Sequence, residues 1–175
     1  MQIRKANKKD SESIKQLYTR AFDDTEAQLV SACATNLLNG VHSDGNLSFV
    51  AIELDKLVAH IAFSPVLLSE TKDSAGYILA PLAVSPEYQG KKIGAKLVKY
   101  GLDFIANLGA LYVFVYGDPK YYSRFGFERS TAGRFIPQYK LQYPEGWQAM
   151  ELNAENSDLR GKIICVEALN DPNLW

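Results

Sequence analysis

The chain has 175 residues, is 47% hydrophobic and carries a formal charge of −1 at pH 7. That is enough for one well-packed domain spanning 1–175, and the near-neutral balance excludes the positive excess of a nucleic-acid binder. No apolar run approaches the about 20 residues that span a bilayer, and the opening MQIRKANKKD lacks the apolar core of a signal peptide, so no membrane association and a cytoplasmic location are expected.

The first third reads as a short strand, Gln2 to Lys5, then helices near Ser11 to Phe22 and Glu26 to Leu38, the first capped by Asp10 or Ser11. The pattern breaks from Gly40 to Asn46. Leu47 to Leu54 and Leu57 to Leu68 then form a hairpin with Asp55-Lys56 at its turn. Tyr77 to Val84 is too apolar for a surface strand, and Pro81 inside it cannot donate to a ladder, which calls for a bulge or a splay. Ile93, Leu97, Val98, Leu102, Ile105 and Leu108 recur at helical spacing, with Gly109 placed for a left-handed cap. A strand at Ala110 to Tyr116 and a short helix around Lys120 to Phe125 follow. The remainder, 130–175, is read as strand-rich, with Gly161 to Ala168 a core strand. Alternating strands and helices with hairpins predict a mixed α/β (α+β) sheet with flanking helices.

Tyr88-Gln89-Gly90-Lys91-Lys92-Ile93-Gly94-Ala95-Lys96-Leu97 joins the apolar strand to the amphipathic helix through a small basic turn. The first amides of a helix have no intrahelical partners and the macrodipole adds about half a positive charge, so an anion such as phosphate is favoured there. Glycine at 90 and 94 lets backbone amides approach an oxygen closely. There is no Gly-Lys-Ser/Thr ending and no Gly-x-Gly-x-x-Gly on an early strand, which argues against a P-loop nucleotidase and a dinucleotide fold. Further on, Asp118-Pro119 suits a helix start, and Tyr121-Tyr122-Ser123-Arg124-Phe125-Gly126-Phe127 is an aromatic-rich turn. Cys33 and Cys165 lie far apart, lack metal-ligand spacing and have only His42 and His60 as imidazole company, so two buried reduced thiols and no metal are expected.

The segments LAPLAVSPEYQGKKIGAKL (79 to 97) and GDPKYYSRFGF (117 to 127) resemble the acetyl-coenzyme A binding core of the GNAT N-acetyltransferases, in their YhbS-like branch. The family's Gln/Arg-x-x-Gly-x-Gly/Ala motif falls on Gln89, Gly90, Lys91, Lys92, Ile93 and Gly94, with Lys92 where the family usually has its first glycine. The resemblance implies a GNAT fold with a splayed strand pair, pantetheine pairing along Leu82, Ala83 and Val84, and pyrophosphate held by amides of the turn through Ala95. It implies that Tyr122 lies beside the coenzyme sulfur as general acid. The implied activity is direct transfer of an acetyl group from acetyl-CoA to a primary amine of a small molecule or protein. A non-catalytic acyl-CoA sensor on the same fold is the alternative.

Direct transfer needs a proton acceptor for the amine. His60 sits with Ala62 and Ser64 on one face of its strand, and an imidazole near pH 6.5 suits the task, although a lone histidine on an apolar strand is more often core. Asp118, at the end of the Ala110 strand, is the comparable candidate; Glu53 and Glu70 are weaker. The aromatic-rich 134–147 segment is read as sheet cover or as acceptor-pocket lining. Asn173-Leu174-Trp175 is read as docking an aromatic ring or contacting a second subunit, as in a homodimer.

Overall fold

The computed structural model describes residues 1–40, 45–153 and 158–175. They form two compact units, Met1–Phe63 with Ala80–Gly101, and Ser64–Leu79 with Leu102–Trp175. Among the described residues the strands are those of an eight-stranded mixed sheet, as the alternating pattern predicts. Two of them, β3 (Lys56–Leu68) and β4 (Ser74–Val84), each run from one unit into the other.

In the first unit, β1 (Gln2–Lys5), β2 (Leu47–Glu53) and the first part of β3 pair antiparallel in that order. The β2–β3 hairpin turns at Leu54 and Asp55, both left-handed with φ of 48° and 60°, so the turn lies one residue earlier than the Asp55-Lys56 reading and Lys56 already pairs with Glu53. The expected helices are α1 (Ser11–Ala21) and α2 (Asp24–Asn39). Their apolar faces meet the sheet in a cluster of Ile14, Leu17, Tyr18, Ala34, Val50 and Ala83.

The other sheet face carries Phe49 and Phe63, with ring centroids 6.4 Å apart, and Tyr100 from the next helix lies 5.2 Å from Phe49. That helix, α3 (Ile93–Asn107), buries Ile93, Leu97, Val98, Leu102 and Ile105 as its spacing requires. Leu108 does not join them and is 55% exposed, because the helix has already ended and Gly109 turns the chain left-handed at φ 75°. Asp10 stands before α1 without capping it. Its carboxylate is committed to the Arg4 guanidinium, at 2.8 Å, and to the Asn7 backbone N–H.

The second unit has the strand order β6-β8-β3-β4-β5-β7. Here β4 runs parallel to β5 (Tyr112–Tyr116), which pairs antiparallel with β7 (Trp147–Glu151). The rest of β3 pairs with β8 (Gly161–Cys165), which stops short of Ala168 because Glu167–Leu169 is a 3₁₀ turn. β6 is only Phe135–Ile136. The short helix after β5 is α4 (Pro119–Tyr122), continued as a 3₁₀ turn to Phe125, and a further four-residue helix, α5 (Arg129–Ala132), lies where strands were expected. The core is aromatic: Phe114 stacks on Trp147 at 5.5 Å, and Phe135 meets Phe114 and Tyr112 edge-on at 4.9 and 5.0 Å. Within the 134–147 segment the Trp147 indole donates to the Phe135 carbonyl and the Tyr143 amide to the Tyr116 hydroxyl. Trp175 is buried, stacks on Tyr116 and donates to the Leu169 carbonyl, so it docks an aromatic ring within this unit.

Candidate active site

The basic turn lies where the sequence places it. After β4, Ser85 bonds back to the Val58 carbonyl, Pro86–Tyr88 makes a 3₁₀ turn, and residues 89–92 lead into α3. Gly90 and Lys92 are both left-handed, at φ 74° and 61°. At Gly90 an added Cβ would meet nothing within 4 Å, so its backbone conformation is what calls for glycine. Lys92 holds a conformation that costs a non-glycine residue about 1 kcal/mol or more. That is a physical reason for glycine at this position in the family motif. The Lys92 carbonyl accepts the Lys96 amide, so the Ile93, Gly94 and Ala95 amides form the open first turn of a 15-residue helix.

Lys91, Lys92 and Lys96 are exposed around that turn, and the Lys91 ammonium lies 4.6 Å from the centre of the Tyr88 ring. The Gln89 side chain closes the loop on the Val84 carbonyl at 3.2 Å. In the final residues of β4, Ala83 turns into the α1–α2 core cluster, while Leu82 and Val84 are half-buried.

His60 belongs to the same unit as the turn, but its surroundings are those of a core residue. It is 0% exposed, its Nδ1 is 2.9 Å from the Tyr18 hydroxyl, and Nε2 has no partner among the described residues. Burial lowers its pKa from 6.5 to about 3, against the opposing pull of the Asp10 carboxylate. His42 lies outside the described residues.

Asp118 and Tyr122 belong to the second unit. Asp118 caps α4, accepting the Lys120 amide at 2.9 Å, with Pro119 in the first turn as expected. Tyr122 stands one turn on, edge-on to Tyr121 at 5.0 Å and to Phe127 at 5.8 Å. Desolvation raises its phenol pKa well above the ordinary value of 10, and the neighbouring Tyr121 and Asp118 add to the shift. The ring remains protonated throughout the physiological range. The Tyr122 ring also lies against the backbone of Gly117, where an added Cβ would meet it at 2.6 Å, and this contact is not legible in the sequence. The only sequence signal is a glycine between a strand and an Asp-Pro helix start.

Glu53 ends β2 and Glu70 is exposed in the turn after β3. Burial pushes the Cys33 and Cys165 thiols up to about 12, so neither is a thiolate at neutral pH, and Cys165 is less enclosed than expected. Among the described residues no group of three or more His, Cys, Asp or Glu side chains is gathered to hold a metal, and no helix is long and apolar enough to cross a membrane. A polar cavity of about 370 Å³ lies in the first unit, among Arg20, Asp55, Lys56, Ser85, Glu87 and Tyr88, and none of the predicted site residues lines it.

Residues 11–127 match the Acetyltransferase (GNAT) family. The chain is 35% identical to the uncharacterized N-acetyltransferase YjhQ of Escherichia coli K12 over 166 residues, which cover 92% of this chain and 90% of that protein. Among solved structures it is similar to the GNAT family N-acetyltransferase YhbS of Escherichia coli in complex with CoA, with a TM-score of 0.81 and 30% identity, covering 97% of this chain and 92% of that one. A GNAT family acetyltransferase of Brucella melitensis in complex with acetyl-CoA matches with a TM-score of 0.72 and 27% identity, covering 97% of both chains.

Proposed function

The chain belongs to the GNAT acetyltransferase family, and from that premise we propose that it binds acetyl-CoA and transfers the acetyl group directly to a primary amine of a small molecule or protein. The observation that carries this reading is the turn from Gln89 to Ala95, where two left-handed residues open a lysine-flanked helix start suited to a pyrophosphate. The Gly90, Lys91, Lys92, Ile93, Gly94 and Ala95 backbone would hold the phosphates. Leu82, Ala83 and Val84 would offer the pantetheine amides a strand edge. The CoA and acetyl-CoA complexes of the two structural relatives support the same ligand here.

In the proposed step the neutral amine nitrogen attacks the thioester carbon, the carbon–sulfur bond breaks, and the departing sulfur takes a proton from the Tyr122 phenol. The amine's own proton passes to a base. Asp118 is the candidate we carry forward, directly or through water, because it begins the helix that carries Tyr122, whereas the His60 ring is fully buried against the Tyr18 hydroxyl. Direct transfer is favoured over an acetyl-enzyme, since both thiols are held protonated. We read the whole chain as one acetyltransferase domain, a reading supported by β3 and β4 contributing to both units. The two unpaired cysteines favour a reducing compartment, and we place the protein in the cytoplasm.

The test is release of free CoA from acetyl-CoA across a panel of small amines and amine-bearing peptides, with the acetylated product identified by mass. Stoichiometric CoA and N-acetyl product support transfer. Tight acetyl-CoA binding without product from any amine would favour the sensor reading.

A further inference from the structure

Tyr122 is presented by a turn that depends on having no side chain beneath it. β5 ends at Tyr116, paired with Trp147, and Gly117 follows immediately before the Asp118 cap. A Cβ placed on Gly117 would lie 2.6 Å from Cε2 and 3.2 Å from Cδ2 of Tyr122, so the phenol ring rests directly on the Gly117 backbone. That backbone is held at both of its polar groups. Its N–H donates to the Gly146 carbonyl at 3.0 Å, and its carbonyl accepts from Gln148 Nε2 at 3.2 Å. The same Gln148 nitrogen lies 3.4 Å from the Gly146 carbonyl, so one amide group ties the two glycine carbonyls together.

Gly146 is constrained as well, since a Cβ there would come within 3.1 Å of the Gly117 carbonyl and 3.0 Å of the Tyr116 ring. Gln148 is 1% exposed. Burying a primary amide where an apolar side chain would serve the sheet ladder equally well is costly unless its hydrogen bonds are used. One bond goes to Gly117 in the turn that carries Tyr122, and the other to Gly146, whose carbonyl holds the Gly117 N–H.

We propose that Gly117 and Gln148 form a positioning clamp for the Tyr122 phenol, Gly117 by leaving the ring its place and Gln148 by fixing the backbone beneath it. The proposal rests on Tyr122 being the proton donor of the reaction. Neither residue touches the reacting atoms; both set where the hydroxyl lies, and a displacement of about 1 Å can cost about 10²-fold in rate. The raised phenol pKa agrees with a ring kept in a desolvated seat.

The experiment compares Gly117→Ala and Gln148→Met, each alone and combined with Tyr122→Phe, in turnover, KM and acetyl-CoA affinity. The expected result is kcat lowered about 10- to 100-fold with KM and coenzyme affinity within about twofold, and double variants no slower than Tyr122→Phe alone. Losses that multiply in the double variants, or unchanged kcat in both single variants while Tyr122→Phe is slow, would overturn the clamp. A second readout needs no turnover: the ionisation of Tyr122, taken as the ultraviolet difference from Tyr122→Phe, should move down towards an ordinary phenol in both clamp variants. An unmoved titration in both overturns the clamp whatever Tyr122 does in catalysis. Full turnover in Tyr122→Phe instead sinks the proton-donor reading and leaves the titration to decide the clamp. Should Gly117→Ala fail to fold, Gln148→Met, which keeps the backbone and nearly the same volume, decides alone.

Discussion

Desolvation acts on Tyr122 and His60 in opposite directions and leaves both neutral, raising the phenol and lowering the imidazole. For Tyr122 the neutral form is the one the proposed step requires as proton donor. Tyr122→Phe should therefore leave acetyl-CoA affinity within about twofold while lowering kcat, by up to the about 10²–10⁴-fold typical of general acids. Normal turnover in that variant, with chemistry limiting the rate, would return the ring to a packing role. For His60 the neutral form has lost its use near pH 7, and the turnover profile should show no limb near pH 6–7 belonging to it. Its signature lies in stability. A folded pKa of about 3 against 6.5 unfolded means the contribution is fully present above pH 6.5 and is lost as pH falls towards 3. Unfolding free energy should drop by up to about 1.4 kcal/mol per pH unit below pH 6.5. His60→Gln should flatten that slope between pH 6.5 and about 4, above the range where the depressed Asp10 carboxyl begins to titrate. An identical slope in denaturant titrations of both proteins would show that His60 is not held neutral.

Two elements turn on single side chains. α4 begins at an Asp-Pro pair whose aspartate is used as a cap. Asparagine caps about as well as aspartate, whereas alanine costs about 1 kcal/mol. Asp118→Asn should thus keep full stability, and a fall in its kcat would mark the carboxylate as the base. If Asp118→Asn turns over as fast as the unaltered protein, the cap is the residue's whole task. α3 lies against Phe63 so closely that a Cβ on Gly101 would collide with that fully buried ring. Alanine should gain up to about 1 kcal/mol of helix propensity. Overpacking costs about 1–3 kcal/mol and, against a ring with no room to move, should win. Gly101→Ala is expected to lower the unfolding midpoint, and a raised midpoint would mean that Phe63 yields easily.

The same elements show what a sequence reveals. α3 and the β2–β3 hairpin were legible because each carries its own period and its own stop signal. α5, at four residues, and β6, at two, are too short to have a period, and both lie in the stretch read simply as strands. Leu108 keeps helical spacing yet faces solvent, since spacing does not report that the helix has ended. Among the candidate site residues, the basic turn and the Tyr122 signature were readable because the residues of each are contiguous. The partner that makes His60 a core residue is Tyr18, 42 positions away, and the Gln148 bond to Gly117 spans 31. Contacts of that kind come from topology rather than from local pattern.

For the molecule as a whole, family membership and fold rest on 35% identity across nearly the full length and on the 0.81 TM-score with a CoA-bound relative. The central proposal is that the start of α3 holds the coenzyme's pyrophosphate. Calorimetry of acetyl-CoA against the unaltered protein and Gly90→Glu tests it most directly, with circular dichroism to verify the fold. The unaltered protein should bind one acetyl-CoA per chain. The glutamate, which sets a negative charge against the phosphates on a left-handed residue, should weaken binding at least about 10-fold, in line with the roughly 1–2 kcal/mol of a single unfavourable charge contact. Equal affinity in a correctly folded Gly90→Glu protein would contradict it.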